Sequence, residues 1–361
     1  PVVMASIVQF VIDRLSVCPS VSWLCIDDVI ITKDKESKFS GSYWDWDYVN
    51  GKYVKCFRYV VILWCNPYFR IPVALALWQK GQKSKNELAR ELLSNLLKKG
   101  LRFDFATMDS WYASSENIKF LLKKSIKFVI AINSNRKVRL NYEPLVRQEN
   151  KPGRKRYNHY TTLTSSELAS RKPNTRDYTY YSSIDVRAIQ QVVFLPKLGH
   201  NLFRWICIKN YAYSRFFKEC VTYKGKKTSK PKERDPKKYL LTNDFSCTVV
   251  EIILHYRKRW KIEEFFRECK QHLALSKCQA RKDQRAQVLH TALVFLSFSI
   301  LEYARVNWRV HNHTFNSIGD VKRYLQNLFV VENSNSATLA KIQKPSQVAW
   351  EYLYKASSLS L

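Results

Sequence analysis

The first 136 residues alternate short apolar runs with polar segments in a way that predicts an α/β fold. Residues 23–31 are almost continuously apolar and β-branched, which is typical of a strand covered on both faces. The predicted strands of this region are 23–31, 53–65, 71–78, 103–108 and 127–133. One predicted helix starts at a capping box at Ser84 and ends at Gly100, and a second spans 115–124. Strands that alternate with helices favour a sheet flanked by helices.

The pattern changes after residue 136 and returns to helices near residue 248. The intervening stretch contains strand-like runs at 178–195, 201–213 and 237–243, together with a basic loop at 224–236. This composition predicts a mostly β insertion whose basic loop is suited to phosphate groups. Helical periodicity covers 248–275 and 284–306, is weak beyond 311, and also predicts a short helix at 5–15.

The charge of the chain is strongly one-sided. The 361 residues include 61 Lys and Arg against 30 Asp and Glu, a formal net charge of +31. This excess indicates a polyanionic partner, and nucleic acid is favoured because 10 Trp, 21 Tyr and 19 Phe can stack on bases. An anionic membrane surface is the alternative partner. No segment reaches about 18 uninterrupted apolar residues, so the sequence predicts no membrane span.

Cysteine usage and the amino terminus suggest the compartment. The nine cysteines are scattered and form no C-x-x-C pair, so the sequence predicts neither a zinc ribbon nor a disulfide framework. Reduced, buried thiols are typical of a cytoplasmic protein. No signal peptide is recognisable, and the first residue is Pro1 rather than Met, which predicts a missing or processed start.

Acidic residues lie inside one predicted strand and directly after another. Asp27 and Asp28 lie inside the apolar run 23–31, where carboxylates are costly to bury unless they are paired or bind a cation. A turn at the end of a strand is the alternative explanation for the pair. Asp109 follows a predicted strand at its carboxyl end, where α/β folds usually place their chemistry. Its alternative role is to cap the next helix.

The predicted helix over 248–275 carries a second polar group. At about 100° per residue, the side chains of Tyr256, Arg259, Glu263 and Lys270 share an arc of about 60°. An apolar stripe beside them suits packing against a core. The helix therefore presents one carboxylate flanked by a phenol and two cations. A solvated charged face with i,i+4 ion pairs is the alternative interpretation.

Three separated acids on this order of elements suggest metal-dependent chemistry. Three strands, a helix, a strand with a terminal acid, an α/β pair, an insertion and an acid-bearing helix form the order of a ribonuclease-H-like fold. We expect a mixed sheet flanked by helices, with a large β-rich insertion before the last catalytic helix. Asp27, Asp109 and Glu263 would then form one site for two Mg²⁺ or Mn²⁺ ions in phosphodiester exchange.

The sequence resembles the bacterial DDE transposases of the insertion-sequence-4 group over roughly 22–305. The most specific match is Tyr256-(x2)-Arg259-(x3)-Glu263-(x6)-Lys270, which has the Y-R-E-K spacing of the group. Other segments that resemble the family are Ile26-Asp27-Asp28 followed by Lys33, Trp44–Tyr48, Met108–Tyr112, Ala131–Arg136 and Tyr239–Asn243.

The resemblance implies a cut-and-paste DNA transposase. Metal-dependent cleavage at transposon ends would be followed by attack of the freed 3′-hydroxyl on target DNA, with Asp27, Asp109 and Glu263 as catalytic metal ligands. The residues expected to bind DNA are Tyr256, Arg259, Trp260, Lys270, Lys33 and Trp205. Core packing is the alternative role of the two tryptophans. The expected partner is double-stranded DNA, bound by a homodimer on paired ends, and the expected location is the cytoplasmic nucleoid.

The resemblance also suggests how the chain is divided. The predicted divisions are 1–20, a remnant of an amino-terminal region; 21–136, the first part of the catalytic core; 137–245, the β-rich insertion; 246–310, the second part of the core; and 311–361, a helical tail. Val29 stands where the family usually has Thr, which leaves open whether Asp27 or Asp28 is the first ligand. The alternatives are an inactive or domesticated transposase that still binds DNA, and a basic structural protein that binds nucleic acid.

Overall fold

The computed structural model describes most of the chain as an α/β protein built around one mixed sheet. The described residues are 2–15, 20–33, 39–47, 51–140, 162–171, 177–209, 237–278, 283–307 and 315–334. The basic loop predicted at 224–236 and most of the carboxy-terminal tail lie outside these ranges.

Six strands from the first half of the chain form one end of the sheet. They are β1 (Trp23–Lys33), β2 (Tyr43–Asp47), β3 (Lys52–Cys65), β4 (Arg70–Trp78), β5 (Phe105–Met108) and β6 (Lys127–Ile132). β1 pairs antiparallel with β3 on one side and parallel with β5 on the other, and β5 pairs parallel with β6. β4 pairs with the carboxy-terminal half of β3, while β2 pairs with its amino-terminal part. All five strands predicted in this region are present.

The strands between 137 and 245 continue the same sheet. They are β7 (Lys137–Arg139), β8 (Thr162–Thr164), β9 (Thr179–Tyr181), β10 (Val186–Phe194), β11 (Leu202–Lys209) and β12 (Lys238–Thr242). β12 pairs antiparallel with β6, so β12, β11 and β10 extend the sheet beyond the first six strands. A short helix, α4 (Ser165–Ser170), begins at a capping box with Thr164 and Glu167.

Helices cover both faces of the sheet, and alternate residues of β1 point to each face. On the first face, α1 (Val2–Phe10), α2 (Lys85–Lys98) and α3 (Ser115–Lys123) pack on side chains that include Leu24 and Ile26. The capping box predicted at Ser84 is present, with Glu87 as its partner. On the second face, the cluster contains Cys25 and Val29.

Three helices pack on the second face of the sheet. α5 (Val249–Arg257) packs against β6, β11 and β12, whereas α6 (Trp260–His272) packs against β1 and β3 beside α7 (Gln284–Asn307). The prediction of one continuous helix over 248–275 is therefore wrong. The α-helical hydrogen bonding is interrupted at Lys258 and Arg259, where short i to i+3 bonds replace it. The carbonyl of Lys258 accepts a hydrogen bond from Cys25 Sγ at 3.6 Å, so this break lies over β1.

The last helices complete the core. By length and composition, α7 is the one described helix that could cross a membrane. Its Phe295 and Phe298 are nevertheless fully buried against Phe265 of α6, and its Glu302 is bound by Arg70 of β4. These contacts are those of a core helix in a folded domain. α8 (Ile318–Ser334) packs on α6, where Gly319 lies against the ring of His272.

Candidate active site

Asp27 and Asp28 lie in the middle of β1 and point to opposite faces of the sheet. Strand alternation places Asp27 on the second face, with Cys25 and Val29, where α6 packs. Asp28 shares the first face with Ile26 and the helices that pack there. Of the two neighbouring acids, only Asp27 therefore shares a face with Glu263.

Asp28 is neutralised by three donors from other elements. Its carboxylate accepts hydrogen bonds from the guanidinium of Arg58, from Lys85 Nζ at 2.8 Å and from the Tyr112 hydroxyl at 3.1 Å. Arg58 also donates from Nε to Asp45 at 2.9 Å. Only 8% of the Asp28 side chain is exposed. A buried acid that already binds two cations and a phenol stabilises the fold and is not free to bind a metal ion.

Asp109 follows β5 and begins a single turn at Ser110–Tyr112. One of its carboxylate oxygens accepts the backbone N–H groups of Trp111 at 2.9 Å and Tyr112 at 3.4 Å. The capping role that the sequence left open is thus present, although the cap leads into a single turn. Only Oδ1 is used in these two bonds. The cap can therefore orient the carboxylate and still leave Oδ2 for another partner.

Burial and mutual repulsion disfavour the ionised forms of Asp27 and Asp109. Burial raises the pKa of Asp27 well above its usual range, and the neighbouring Asp109 raises it further, while Arg259 opposes the rise. Burial also raises the pKa of Asp109, with Arg259 acting against it and Asp28 adding to it. Acids that destabilise one another in this way favour the binding of a cation between them.

Arg259 supplies a cation at this position from the break between α5 and α6. Its Nη1 donates to Asp27 Oδ2 at 2.9 Å, and its Nη2 donates to Glu263 in the first turn of α6. Arg259 is 8% exposed, so these charge-assisted bonds lie largely out of water. The guanidinium thus joins the acid of β1 to the acid of α6. Arg259 and Glu263 form an i,i+4 ion pair, but this pair belongs to a buried cluster and not to the solvated charged face of the alternative interpretation.

The arrangement in this conformation is not that of a preformed metal centre. Within the described residues, no group of three acidic, histidine or cysteine side chains is positioned to hold a metal ion. Arg259 accounts for this, because its guanidinium stands between Asp27 and Glu263. The donor chemistry is nevertheless that of a Mg²⁺ site, which needs a few carboxylates together with water and phosphate oxygens.

Tyr256 and Lys238 complete the polar surroundings of the three acids. Tyr256 is 4% exposed, and burial raises the pKa of its hydroxyl to about 12. Lys238 of β12 has its Nζ 5.4 Å from the centroid of the Tyr256 ring. Burial lowers the pKa of Lys238 and Arg259 lowers it further, whereas Asp109 and Glu263 oppose the change. Sequence reasoning missed Lys238, whose only signal was a lysine at the start of an apolar strand.

The other residues predicted to bind DNA lie in different surroundings. Lys33 donates to the carbonyl of Cys278 at 2.8 Å, and its Nζ lies 5.1 Å from the centre of the Phe39 ring. Lys270 lies on the surface of α6, two turns beyond Glu263, on the side of Asp47. Trp260 is 41% exposed at the start of α6, which keeps it within reach of a ligand.

Trp205 of β11 does not have the exposure that base stacking requires. Its indole is fully buried and stacks on the ring of Tyr239 with the centroids 5.9 Å apart. The alternative that the sequence left open, core packing, describes this position. The prediction that Trp205 stacks on a base is therefore not supported by this conformation.

A mixed sheet that carries one buried acid inside β1 and a second directly after the neighbouring parallel strand β5 defines an α/β protein with an acidic site. Comparison with family models then identifies the class. Residues 22–298 match the transposase DDE domain, which covers just over three quarters of the chain. The chain therefore belongs to the transposase DDE-domain family. This membership supports a role in DNA transposition with DNA as the substrate, and members of the family generally depend on divalent metal ions. No curated protein matches the chain significantly.

Proposed function

We propose that this chain is the catalytic region of a cut-and-paste transposase of the insertion-sequence-4 group. It would cleave DNA at transposon ends and transfer the freed 3′-hydroxyl to target DNA. The observation that carries the proposal is the buried cluster in which Arg259 joins Asp27 to Glu263 beside Asp109. These residues come from three distant parts of the chain, so their convergence is a property of the fold.

The order of strands supports a ribonuclease-H-like core within this family. The strands run β4, β3, β1, β5, β6 across the sheet, with β3 antiparallel to β1 and with β5 and β6 parallel to it. Along the chain, the strands and helices follow the order of elements for which we expected a ribonuclease-H-like fold. The strands from 137 to 245 then stand between β6 and the acid-bearing helix, as an insertion in the chain would.

Asp27, Asp109 and Glu263 are the residues that would hold Mg²⁺ or Mn²⁺, with Asp28 excluded. Asp28 lies on the other face and is already bound by Arg58, Lys85 and Tyr112. Two bound ions would activate the attacking oxygen and stabilise the leaving oxygen in phosphodiester cleavage. Arg259 must leave the carboxylates for this purpose, because one guanidinium at present satisfies two of them.

Once Arg259 leaves the carboxylates, its guanidinium would bind the phosphate backbone of DNA. Arginine binds phosphate in a bidentate manner, and this geometry is as favourable as the carboxylate pair it would give up. Lys238 and Tyr256 already lie beside Arg259, so a phosphate brought to this position would meet two cations and a phenol. Trp260, Lys270 and Lys33 would extend the contact along the DNA. The protein would act as a homodimer on paired transposon ends, in the cytoplasmic nucleoid.

The chain has a formal net charge of +31. We expect the affinity for DNA to fall steeply with salt, because Lys and Arg side chains that contact phosphates release counterions. The slope of log affinity against log salt should be about −0.9 for each phosphate contacted. Arg259→Ala should reduce this slope by about one unit, since it removes one phosphate contact. Fluorescence anisotropy of labelled duplexes over a range of salt concentrations measures both quantities.

Lys261→Ala is the matched control, since Lys261 lies two residues further along, in the first turn of α6, and pairs with Glu264 instead of the acidic cluster. Its slope should stay close to that of the parent protein. The duplexes should carry either the inverted repeats that flank the coding DNA or a scrambled sequence. A nearly flat salt dependence would contradict the proposal of phosphate binding. Equal affinity for repeats and scrambled DNA would favour a basic structural protein instead.

A further inference from the structure

The turn that follows β5 is anchored on the first face of the sheet. Its last residue, Tyr112, is fully buried in the apolar cluster of that face. The Tyr112 hydroxyl donates to Asp28 Oδ1 at 3.1 Å. Lys85 Nζ donates to the same oxygen at 2.8 Å and lies 4.2 Å from the centroid of the Trp111 ring. The ion pair of Asp28 and Lys85 therefore holds Trp111 and Tyr112 by their side chains.

The backbone of the same residues contacts the acids of the candidate site. The N–H groups of Trp111 and Tyr112 donate to Asp109 Oδ1 at 2.9 and 3.4 Å. The N–H of Asp28 donates to Asp27 Oδ1 at 2.8 Å. Side chains that are fixed on the first face are thus connected, through their own main chain, to the two carboxylates of β1 and the turn. A shift of this ion pair would change the orientation of those carboxylates.

Tyr112 is the most direct of these connections because it is held at three points. Its carbonyl accepts a hydrogen bond at 2.9 Å from Asn117 Nδ2 of α3, and Asn117 is itself 3% exposed. Its hydroxyl and its N–H are bound to Asp28 and Asp109 as described above. A buried residue that is fixed in this way has one orientation, which suits the support of a metal ligand.

We propose that Asp28, Lys85 and Tyr112 are positioning residues that orient the Asp109 carboxylate toward a divalent metal ion. This inference rests on the proposed function, because it takes Asp109 to be a metal ligand. With Oδ1 held by two N–H groups, Oδ2 is the atom directed to the ion. Asp28 would then contribute to the site from the opposite face of the sheet without contacting the metal. Residues that orient metal ligands are often nearly as important as the ligands themselves.

The test measures Mn²⁺ binding by the full chain in complex with an end-containing duplex, from the electron paramagnetic resonance signal of free Mn²⁺. DNA alone also binds Mn²⁺, so the binding that Glu263→Gln removes defines the proposed site. Tyr112→Phe deletes only the hydroxyl and should weaken this binding by about 10- to 100-fold. DNA affinity should be almost unchanged. A high Mn²⁺ concentration should restore much of the cleavage, which a purely structural defect would not allow.

Lys85→Met provides a second variant that acts on the same ion pair. It removes the cation shared by Asp28 and Trp111, so it should also weaken Mn²⁺ binding. This variant carries the test if Tyr112→Phe does not fold, which urea unfolding of each variant shows.

Tyr59→Phe is the matched control, since Tyr59 of β3 is also fully buried but belongs to the cluster of the second face. It should bind Mn²⁺ like the parent protein. The inference is overturned if the folded Tyr112→Phe binds Mn²⁺ as tightly as the parent, or if Tyr59→Phe loses as much. Failure of the proposed function gives a different result. The parent would then bind no more Mn²⁺ than Glu263→Gln does, and both proposals would be wrong.

Discussion

Replacing Glu263 by glutamine is expected to reduce Mg²⁺-dependent strand cleavage by roughly 100- to 1,000-fold, because a bound metal ion contributes several kcal/mol to the transition state. Glutamine keeps the volume and the hydrogen-bonding reach of Glu263 but removes the charge that a divalent ion needs. DNA affinity should stay the same or increase, since one negative charge near phosphate is lost. Single-turnover nicking of an end-containing duplex, together with anisotropy, measures the two effects.

Glu264→Gln is the matched control for this substitution. Glu264 is the next residue of α6, but its carboxylate pairs with Lys261 at 2.9 Å and with Arg70 at 3.4 Å, away from Arg259. Its cleavage rate should stay close to that of the parent protein. Should Glu263→Gln cleave at the parental rate, α6 would be only a basic helix that binds DNA. An inactive or domesticated transposase would instead bind DNA without any Mg²⁺-dependent cleavage in the parent.

A second cluster of charges holds α6 against the rest of the core. Arg70 of β4 donates to Glu302 of α7 through Nε at 2.9 Å and Nη2 at 3.0 Å, and to Glu268 of α6 at 3.1 and 3.2 Å. Arg305 adds a bond to Glu302 at 2.8 Å. Glu302 is fully buried, so its charge depends on these partners.

Arg70→Met should therefore lower the free energy of unfolding by about 3–5 kcal/mol at neutral pH, because it leaves buried carboxylates without their cation. Methionine keeps much of the apolar volume, so the loss reports the charge rather than a cavity. Urea unfolding followed by tryptophan fluorescence measures the difference. Adding Glu302→Leu to Arg70→Met should recover part of the loss, because the buried acid is then absent. A loss below about 1 kcal/mol would mean that the cluster behaves like a surface ion pair.

The effect of pH on these variants has a definite sign. Burial alone would raise the pKa of Glu302, but hydrogen bonds from Arg70 and Arg305 outweigh it and hold the pKa below its usual range. In the parent protein this contribution to stability is present above the unfolded pKa and is lost as the pH falls through the folded pKa. In Arg70→Met, fewer cations stabilise the charged form of the buried Glu302. The free energy of unfolding that this variant loses relative to the parent should therefore become smaller as the pH falls and Glu302 is protonated.

Much of the local structure could be predicted from the sequence because its causes are local. The apolar run around Asp27 determined β1, and the capping box at Ser84 determined the start of α2. The acid after β5 also lies where the chain order predicted it. These features depend on the alternation of side chains and on residues three or four positions apart.

Other features depend on contacts between distant residues, and the sequence did not predict them. Alternation places Asp27 and Asp28 on opposite faces, but which face carries Glu263 depends on how the chain crosses the sheet. The break at Lys258 and Arg259 carries no Gly or Pro, and arises where the chain passes from one group of strands to another. Lys238 reaches the acids only because β12 pairs with β6. The burial of Trp205 likewise follows from the pairing of β11 inside the sheet.

We propose that Asp27, Asp109 and Glu263 form one divalent-metal site that Arg259 leaves when DNA binds. Anomalous diffraction from crystals of the protein with DNA and Mn²⁺ tests it most directly. We expect Mn²⁺ peaks bounded by these three carboxylates, with the Arg259 guanidinium on a DNA phosphate and with Asp28 still bound to Arg58 and Lys85. Peaks bounded by Asp28 instead of Asp27, or no peak beside Glu263, would contradict the claim.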